Sequence, residues 1–147
     1  MSTPALTTRQ FIATYAVTLL VMLALDGLWL GWLANDFYRQ ELGPLMADTV
    51  RKLPAALYYL GFPAAIVFLA LNPRPASLGS AALRCAVMGL AGFGVYDLTS
   101  LAILRGYTVT MTVVDIAWGS FASTMAGSAA YVLVLSKASA VGAYSRT

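Results

Sequence analysis

Residues 11–33 read FIATYAVTLLVMLALDGLWLGWL, the first of the long apolar runs in the chain. It is apolar on every side, and Asp26 is its only charged residue. A helix of this length rises about 34 Å, which is enough to cross the roughly 30 Å hydrocarbon core of a bilayer. Because a helix in a soluble bundle needs a polar outer face, the stretch predicts a membrane-spanning helix.

Three further apolar stretches follow, at residues 53–71, 81–104 and 110–135. Each is long enough to span a bilayer. Together with residues 11–33 they predict an all-α integral membrane bundle of four transmembrane helices in up-down order. We expect this bundle to form a single transmembrane domain over residues 1–147.

The first loop contains a pattern that favours a surface helix. Pro44 is expected to open a short interfacial helix, because proline is favoured in the first turn of a helix. Leu45, Met46 and Val50 then share one face of that helix. Asp48 lies on the opposite face, so the segment is expected to lie on the membrane surface.

Composition supports a membrane protein and excludes several other classes. Of the 147 residues, 60% are hydrophobic and 10% are charged, and the mean hydropathy is +0.77, outside the usual range of a soluble domain. The net charge of +3 includes no long basic run, so we expect no nucleic-acid partner. Cys85 is the only cysteine and histidine is absent, which excludes an internal disulfide and a metal site built from Cys and His. Membrane lipid is the expected partner, and any cofactor is unknown.

The distribution of basic residues predicts the orientation of the spans in the membrane. Four spans put both termini on one side, which carries five Lys or Arg residues against four on the other side. Because basic residues favour the cytoplasm, this small bias predicts cytoplasmic termini. The terminal side carries Arg9, Arg74, Arg84, Lys137 and Arg146, and the other side carries Arg39, Arg51, Lys52 and Arg105.

The fourth span carries a row of small residues. Gly119, Ser123 and Gly127 recur at intervals of four, which places them on one helix face. Small residues let a neighbouring helix approach closely, so the row predicts helix packing. It is also a possible seam for a homodimer.

Three aspartates, Asp26, Asp97 and Asp115, lie inside the proposed spans. A carboxylate near the bilayer centre costs roughly 2.5–3.5 kcal/mol on insertion scales, so such residues commonly have a function. Asp26 and Asp97 fall about two turns before the ends of the first and third spans, and Asp115 falls a little over one turn into the fourth. All three are therefore expected at one level, on the side of the first and third loops.

Aromatic residues surround this level in the sequence. Trp29 and Trp118 each follow an aspartate by three residues, which places each Asp and Trp on one helix face. Tyr58 and Tyr59 reach a similar depth in the second span. All four spans therefore contribute to one candidate cavity near one membrane face. The candidate ligand-binding residues are Asp26, Trp29, Tyr58, Tyr59, Tyr96, Asp97, Asp115 and Trp118.

Carboxylates that share a low-dielectric pocket repel one another. At least one of the three is therefore expected to carry a proton at neutral pH, unless a cation joins them. No Lys or Arg lies in the middle of a span, and Arg105, just after the third span, is the nearest candidate partner. An all-oxygen site of Asp and Tyr suits a proton, a hard cation or an amine better than a soft metal.

Four motifs carry a resemblance to a known family. They are Asp26-Gly27-Leu28-Trp29-Leu30-Gly31, Phe37-Tyr38, Tyr96-Asp97-Leu98-Thr99 and Asp115-Ile116-Ala117-Trp118-Gly119. Over roughly residues 10–137 the chain resembles a bacterial family of predicted membrane proteins, domain of unknown function 2177. The resemblance implies four spans in a bacterial inner membrane, and it supplies no mechanism. An aromatic residue is expected soon after the third span in this family, and Tyr107 is expected to fill that place.

The sequence leaves three functions open. The first is a protein that binds or transports a proton-linked, cationic or small amphiphilic ligand at the Asp/Trp/Tyr cavity. The second is a membrane enzyme that modifies a lipid or isoprenoid, with one aspartate as general acid. The third is an accessory or structural subunit, in which the acids hydrogen-bond the helices together and the aromatic residues form an interfacial belt.

Overall fold

Four long apolar helices and one short helix make up the fold. The computed structural model describes residues 4–136, so Lys137 and Arg146 of the charge count lie outside the described residues. The predicted bundle of four membrane-spanning helices is confirmed, and residues 4–136 contain no strand. The helices are α1 (Thr8–Leu33), α2 (Asn35–Leu42), α3 (Lys52–Leu71), α4 (Leu78–Ile103) and α5 (Val109–Leu135). The last turns of α1, α3 and α5 are π-helical, over Trp29–Leu33, Ile66–Leu71 and Tyr131–Leu135.

Hydroxyl side chains set where three of the spans begin. Thr7 accepts a hydrogen bond from the Gln10 backbone N–H at 3.3 Å, and the Gln10 side chain accepts one from the Thr7 N–H at 2.9 Å. This pair forms a capping box before α1. Ser77 caps α4 and Thr108 caps α5, each accepting a bond from the N–H three residues later. Because the caps satisfy N–H groups that a helix leaves unpaired, the spans begin at defined residues.

The helix of the first loop does not lie where the sequence pattern placed it. The prediction of a helix opening at Pro44 is wrong: the helix is α2, and Gly43, with φ +45°, ends it. Pro44 takes part only in a short 3-10 turn, Gly43–Leu45. The reason is tertiary packing, because Tyr38 of α2 is buried in the bundle whereas Val50 is 79% exposed. An amphipathic pattern with nothing to pack against does not hold a helix here.

The row of small residues on α5 packs against α4. A Cβ atom at Gly119 would overlap the ring of Phe93, and one at Gly127 would overlap the Sγ of Cys85. Ser123, between them, is fully buried. Because α4 covers this row within one chain, the row is not free to serve as the seam of a homodimer. The homodimer itself stays a prediction.

The second and third spans separate toward the loop that holds α2. The end of α3 packs on α4, where the Arg84 side chain donates to the Ala70 carbonyl at 3.5 Å. The first part of α3 packs instead against α1, where Tyr15 donates to the Leu60 carbonyl at 3.0 Å. Pro63 lies at this change of neighbour and lacks the N–H that would continue the helical ladder. The separation leaves an opening between α3 and α4 at the level of the aspartates.

Candidate functional site

The fold brings the three aspartates together. Asp26, Asp97 and Asp115 are all buried, although they come from α1, α4 and α5. The side chains of Asp97 and Asp115 are in hydrogen-bond contact with each other. Asp26 lies close enough to Asp115 for the two carboxyl groups to interact electrostatically. The predicted common level of the three acids therefore corresponds to one cluster in space.

Two tyrosines from the loops hold the Asp97–Asp115 pair. The Tyr38 hydroxyl donates a hydrogen bond to Asp115 Oδ1, and the Tyr107 hydroxyl donates one to Asp97 Oδ1 at 2.5 Å. Burial, together with the hydrogen bond to its aspartate, raises the pKa of each of these phenols above the ordinary value. Both phenols therefore remain protonated donors at neutral pH.

Contacts between the first and third loops position Tyr38. The Thr108 hydroxyl, which also caps α5, donates to the Glu41 carboxylate of α2. The Trp29 indole N–H donates to the Tyr38 hydroxyl at 3.2 Å. The α2 helix is thus tied to the bundle at Tyr38 itself and at Glu41, about one turn later.

The two Asp-x-x-Trp motifs are cross-connected. The rings of Trp29 and Trp118 stack with centroids 4.3 Å apart and planes at 7°. The Trp118 indole N–H donates to Asp26 Oδ1 at 2.9 Å, so the tryptophan of α5 hydrogen-bonds the aspartate of α1. In the other direction, the α1 tryptophan reaches Asp115 through the Tyr38 hydroxyl. Each motif therefore supports the carboxyl group of the other.

A cavity of about 350 Å³ lies between α3 and α4 and ends at Asp115. Its walls are aromatic: the Phe62 and Phe93 rings lie 5.7 Å apart, and the Tyr58 ring stacks on Phe62 at 5.6 Å. Tyr96 is 59% exposed, which places it at the mouth on the lipid-facing surface. Among the described residues that line the cavity, Asp115 alone has a carboxyl group. The lining residues are Tyr58, Phe62, Gly92, Phe93, Tyr96 and Asp115.

The acids have no cationic partner in the part of the chain that the structure describes. Arg105 is exposed and does not pair with Asp97 or Asp115. Asp97 is fully buried, and its Oδ2 atom accepts no hydrogen bond from an N–H or hydroxyl of residues 4–136. Within the same residues, no three Asp, Glu, Cys or His side chains are grouped to hold a metal ion.

Comparison with known proteins gives one match. A family of predicted membrane proteins, DUF2177, matches residues 11–132, which is most of the chain. The chain belongs to the DUF2177 family. No curated protein and no solved structure matches it. The matched residues include all but the outermost turn of the first and fourth spans, the whole of the other two spans, and every residue of the acid cluster. This protein is therefore an integral membrane protein, and its candidate site lies within the matched region.

The eight candidate ligand-binding residues of this DUF2177 protein occupy two layers. Tyr58, Tyr96 and Asp115 line the cavity, while Tyr59 interacts with Asp26 behind it. Asp97 adjoins Asp115 in this second layer. The second layer consists of Asp26, Trp29, Tyr59, Asp97 and Trp118.

Sequence reasoning missed several residues of the site. Tyr38 and Tyr107 were not among the candidates, although Phe37-Tyr38 is one of the four motifs and Tyr107 fills the aromatic place after the third span. Phe62, Gly92 and Phe93 were missed because apolar residues in a span carry no signal that distinguishes a cavity wall from a lipid-facing surface. The position of Arg105 suggested an ion pair, but Tyr107, two residues later, makes the contact with Asp97.

Proposed function

We propose that the protein binds a small amphiphile with a cationic head, of which a primary alkylammonium is the simplest example, inside the membrane. The observation that carries the proposal is the aromatic cavity that ends at the Asp115 carboxyl. An apolar body would occupy the cavity, and the head would meet the carboxyl group. The volume of about 350 Å³ lies at the lower end of the range of small-molecule sites, so the ligand is small.

The charge of the site supports a cationic head. Asp97 and Asp115 adjoin each other, and residues 4–136 supply them with no Lys or Arg. The aromatic rings of Tyr58 and Phe93 add the negative faces that attract an ammonium group. Because the carboxyl group lies at an apolar, aromatic cavity, an organic cation with an apolar body fits this arrangement.

The walls of the site support entry from the lipid. Tyr96 stands exposed at the mouth between α3 and α4, so an amphiphile dissolved in the bilayer reaches the cavity sideways. On the loop side, Tyr38 and Tyr107 are hydrogen-bonded to the carboxyl pair and close the direct route from water. An amphiphile would therefore enter with its apolar body already in the membrane.

Decylammonium is expected to bind about tenfold or more tightly than decanol. The two molecules share an apolar chain, but only the ammonium adds a charge-assisted hydrogen bond to Asp115, which is worth roughly 1.4 kcal/mol more than a neutral one. The measurement is tryptophan fluorescence in nanodiscs of a zwitterionic lipid, because Trp29 and Trp118 adjoin the site. Trp32 is 76% exposed and would add background, so the titration uses the Trp32→Phe chain.

Two controls separate site binding from partitioning into the bilayer. Empty nanodiscs titrated in parallel correct for the ligand dissolved in lipid. Asp48→Asn, a change in the exposed part of the first loop, removes one negative charge far from the cavity and is expected to leave the affinity unchanged. Equal affinities for decylammonium and decanol would contradict the proposal.

A further inference from the structure

We infer that Asp97 and Asp115 hold a single proton between them when the site is empty, and that a cationic ligand binds by displacing this proton. The inference rests on the proposed function and specifies how binding is regulated. It predicts that each binding event releases one proton, so that pH controls whether the site is filled.

A shared proton accounts for the contact between the two carboxyl groups. An ionised carboxylate can only accept hydrogen bonds, so two carboxylates cannot bond to each other. Asp97 and Asp115 are nevertheless in hydrogen-bond contact. Each already accepts one bond from a phenol, from Tyr107 and Tyr38 respectively. The remaining bond between them is satisfied when one carboxyl carries a proton and donates it to the other.

The groups that face the pair supply no fixed positive charge. On the Asp97 side they are the phenols of Tyr96, Tyr107 and Tyr38. On the Asp115 side, α1 contributes Asp26 and α3 contributes the phenol of Tyr58. All of these groups are neutral or negative at neutral pH, so a proton or an incoming cation is what compensates the charge of the pair.

One oxygen of the pair is buried without a hydrogen-bond partner among the described residues. Asp97 is fully buried, yet its Oδ2 atom accepts no hydrogen bond from the described N–H and hydroxyl groups. An unpaired acceptor of this kind is costly to bury. Asp97 does not line the cavity, so an ammonium head would contact Asp115 and would compensate the charge of Asp97 through the pair.

The exchange balances in charge and in protons. The empty pair with one proton has a net charge of about −1, and the ammonium ligand brings +1. In the complex, two carboxylates face one ammonium, so the site has a net charge of about −1 and the displaced proton leaves to water. No bond other than hydrogen bonds forms or breaks. Because binding releases one proton, affinity is expected to rise about tenfold per pH unit while the empty pair remains protonated.

Two measurements test the shared proton and its displacement separately. Infrared spectroscopy of the empty protein is expected to show the C=O band of a neutral carboxylic acid at neutral pH. Asp97→Asn is expected to remove that band, because Asp115 then faces an amide donor in place of a like charge, while Asp48→Asn keeps it. A pH-indicator dye in weak buffer is expected to report about one proton released per bound decylammonium.

The outcomes distinguish this inference from the proposed function. Absence of the acid band in the parent protein, or its persistence in Asp97→Asn, would overturn the shared proton. Binding of decylammonium with no proton release and no pH dependence would overturn the exchange and leave the proposed function standing. A band that depends on Asp97, in a protein that does not bind decylammonium, would support the shared proton and refute the proposed ligand.

Discussion

Asp115→Asn is expected to weaken decylammonium binding by about 30-fold or more. Removing one partner of a buried, hydrogen-bonded charge pair costs about 2–5 kcal/mol, and 2 kcal/mol corresponds to about a 30-fold loss. Asparagine has nearly the shape of aspartate, and its carbonyl oxygen still accepts the bond from Tyr38. The change therefore removes the charge at the end of the cavity while the loop contact is kept. The affinity is measured by the fluorescence titration in nanodiscs.

The same variant decides between a binding site and a contact that only holds helices together. If Asp115 merely links α2 to α5, Asp115→Asn leaves ligand affinity unchanged, because the asparagine still accepts the bond from Tyr38. That result would refute the binding proposal and favour the accessory-subunit hypothesis. Asp48→Asn serves as the matched control, since it makes the same chemical change at an exposed position.

Gly92→Leu is expected to reduce decylammonium affinity about tenfold or more by filling the cavity. Gly92 is part of the cavity wall, and even a Cβ atom there would lie 2.8 Å from Cε2 of Phe62. Overpacking of this kind typically costs 1–3 kcal/mol, and the larger leucine side chain occupies the space that the alkyl body needs. The titration is the same as for Asp115→Asn, with affinities compared between the parent and the variant.

The control for Gly92→Leu lies one residue away. Ala91→Leu adds a similar side chain to α4 at an exposed position outside the cavity, and its affinity is expected to match the parent. A short amine such as ethylammonium needs little of the cavity and is expected to bind Gly92→Leu as it binds the parent. Loss of ethylammonium binding in Gly92→Leu would indicate general damage to the bundle instead of a blocked cavity.

The spans and the common depth of the acids were predictable because both depend on distance along a helix. A helix that spans a lipid bilayer must be long and apolar, so these two properties are enough to recognise it in a sequence, as for the stretch around Asp26. A constant rise per residue then sets the depth of Asp97 and Asp115 below the same surface. The cross-connection of Trp118 to Asp26 was not predictable, because it depends on how the helices are rotated against each other.

The loop contacts and the cavity depend on tertiary structure that local patterns do not report. Both the segment after Pro44 and α2 are amphipathic, yet only α2 forms a helix of more than one turn, because Tyr38 finds a buried acceptor in Asp115. The local sequence around Gly92 and Phe93 does not show whether these residues pack on a neighbouring helix or face an opening. Which of these applies is decided by the separation of α3 from α4, and no single helix encodes that distance.

We expect an amphiphile to lie in the cavity with its cationic head at Asp115, a claim that photoaffinity labelling can test. An alkylamine that carries a diazirine on its chain is activated in nanodiscs, and the labelled residues are mapped by mass spectrometry. We expect labels on Tyr58, Phe62 and Phe93 that excess decylammonium prevents. Labels spread over lipid-facing residues such as Leu90 and Leu98, unchanged by decylammonium, would contradict the claim.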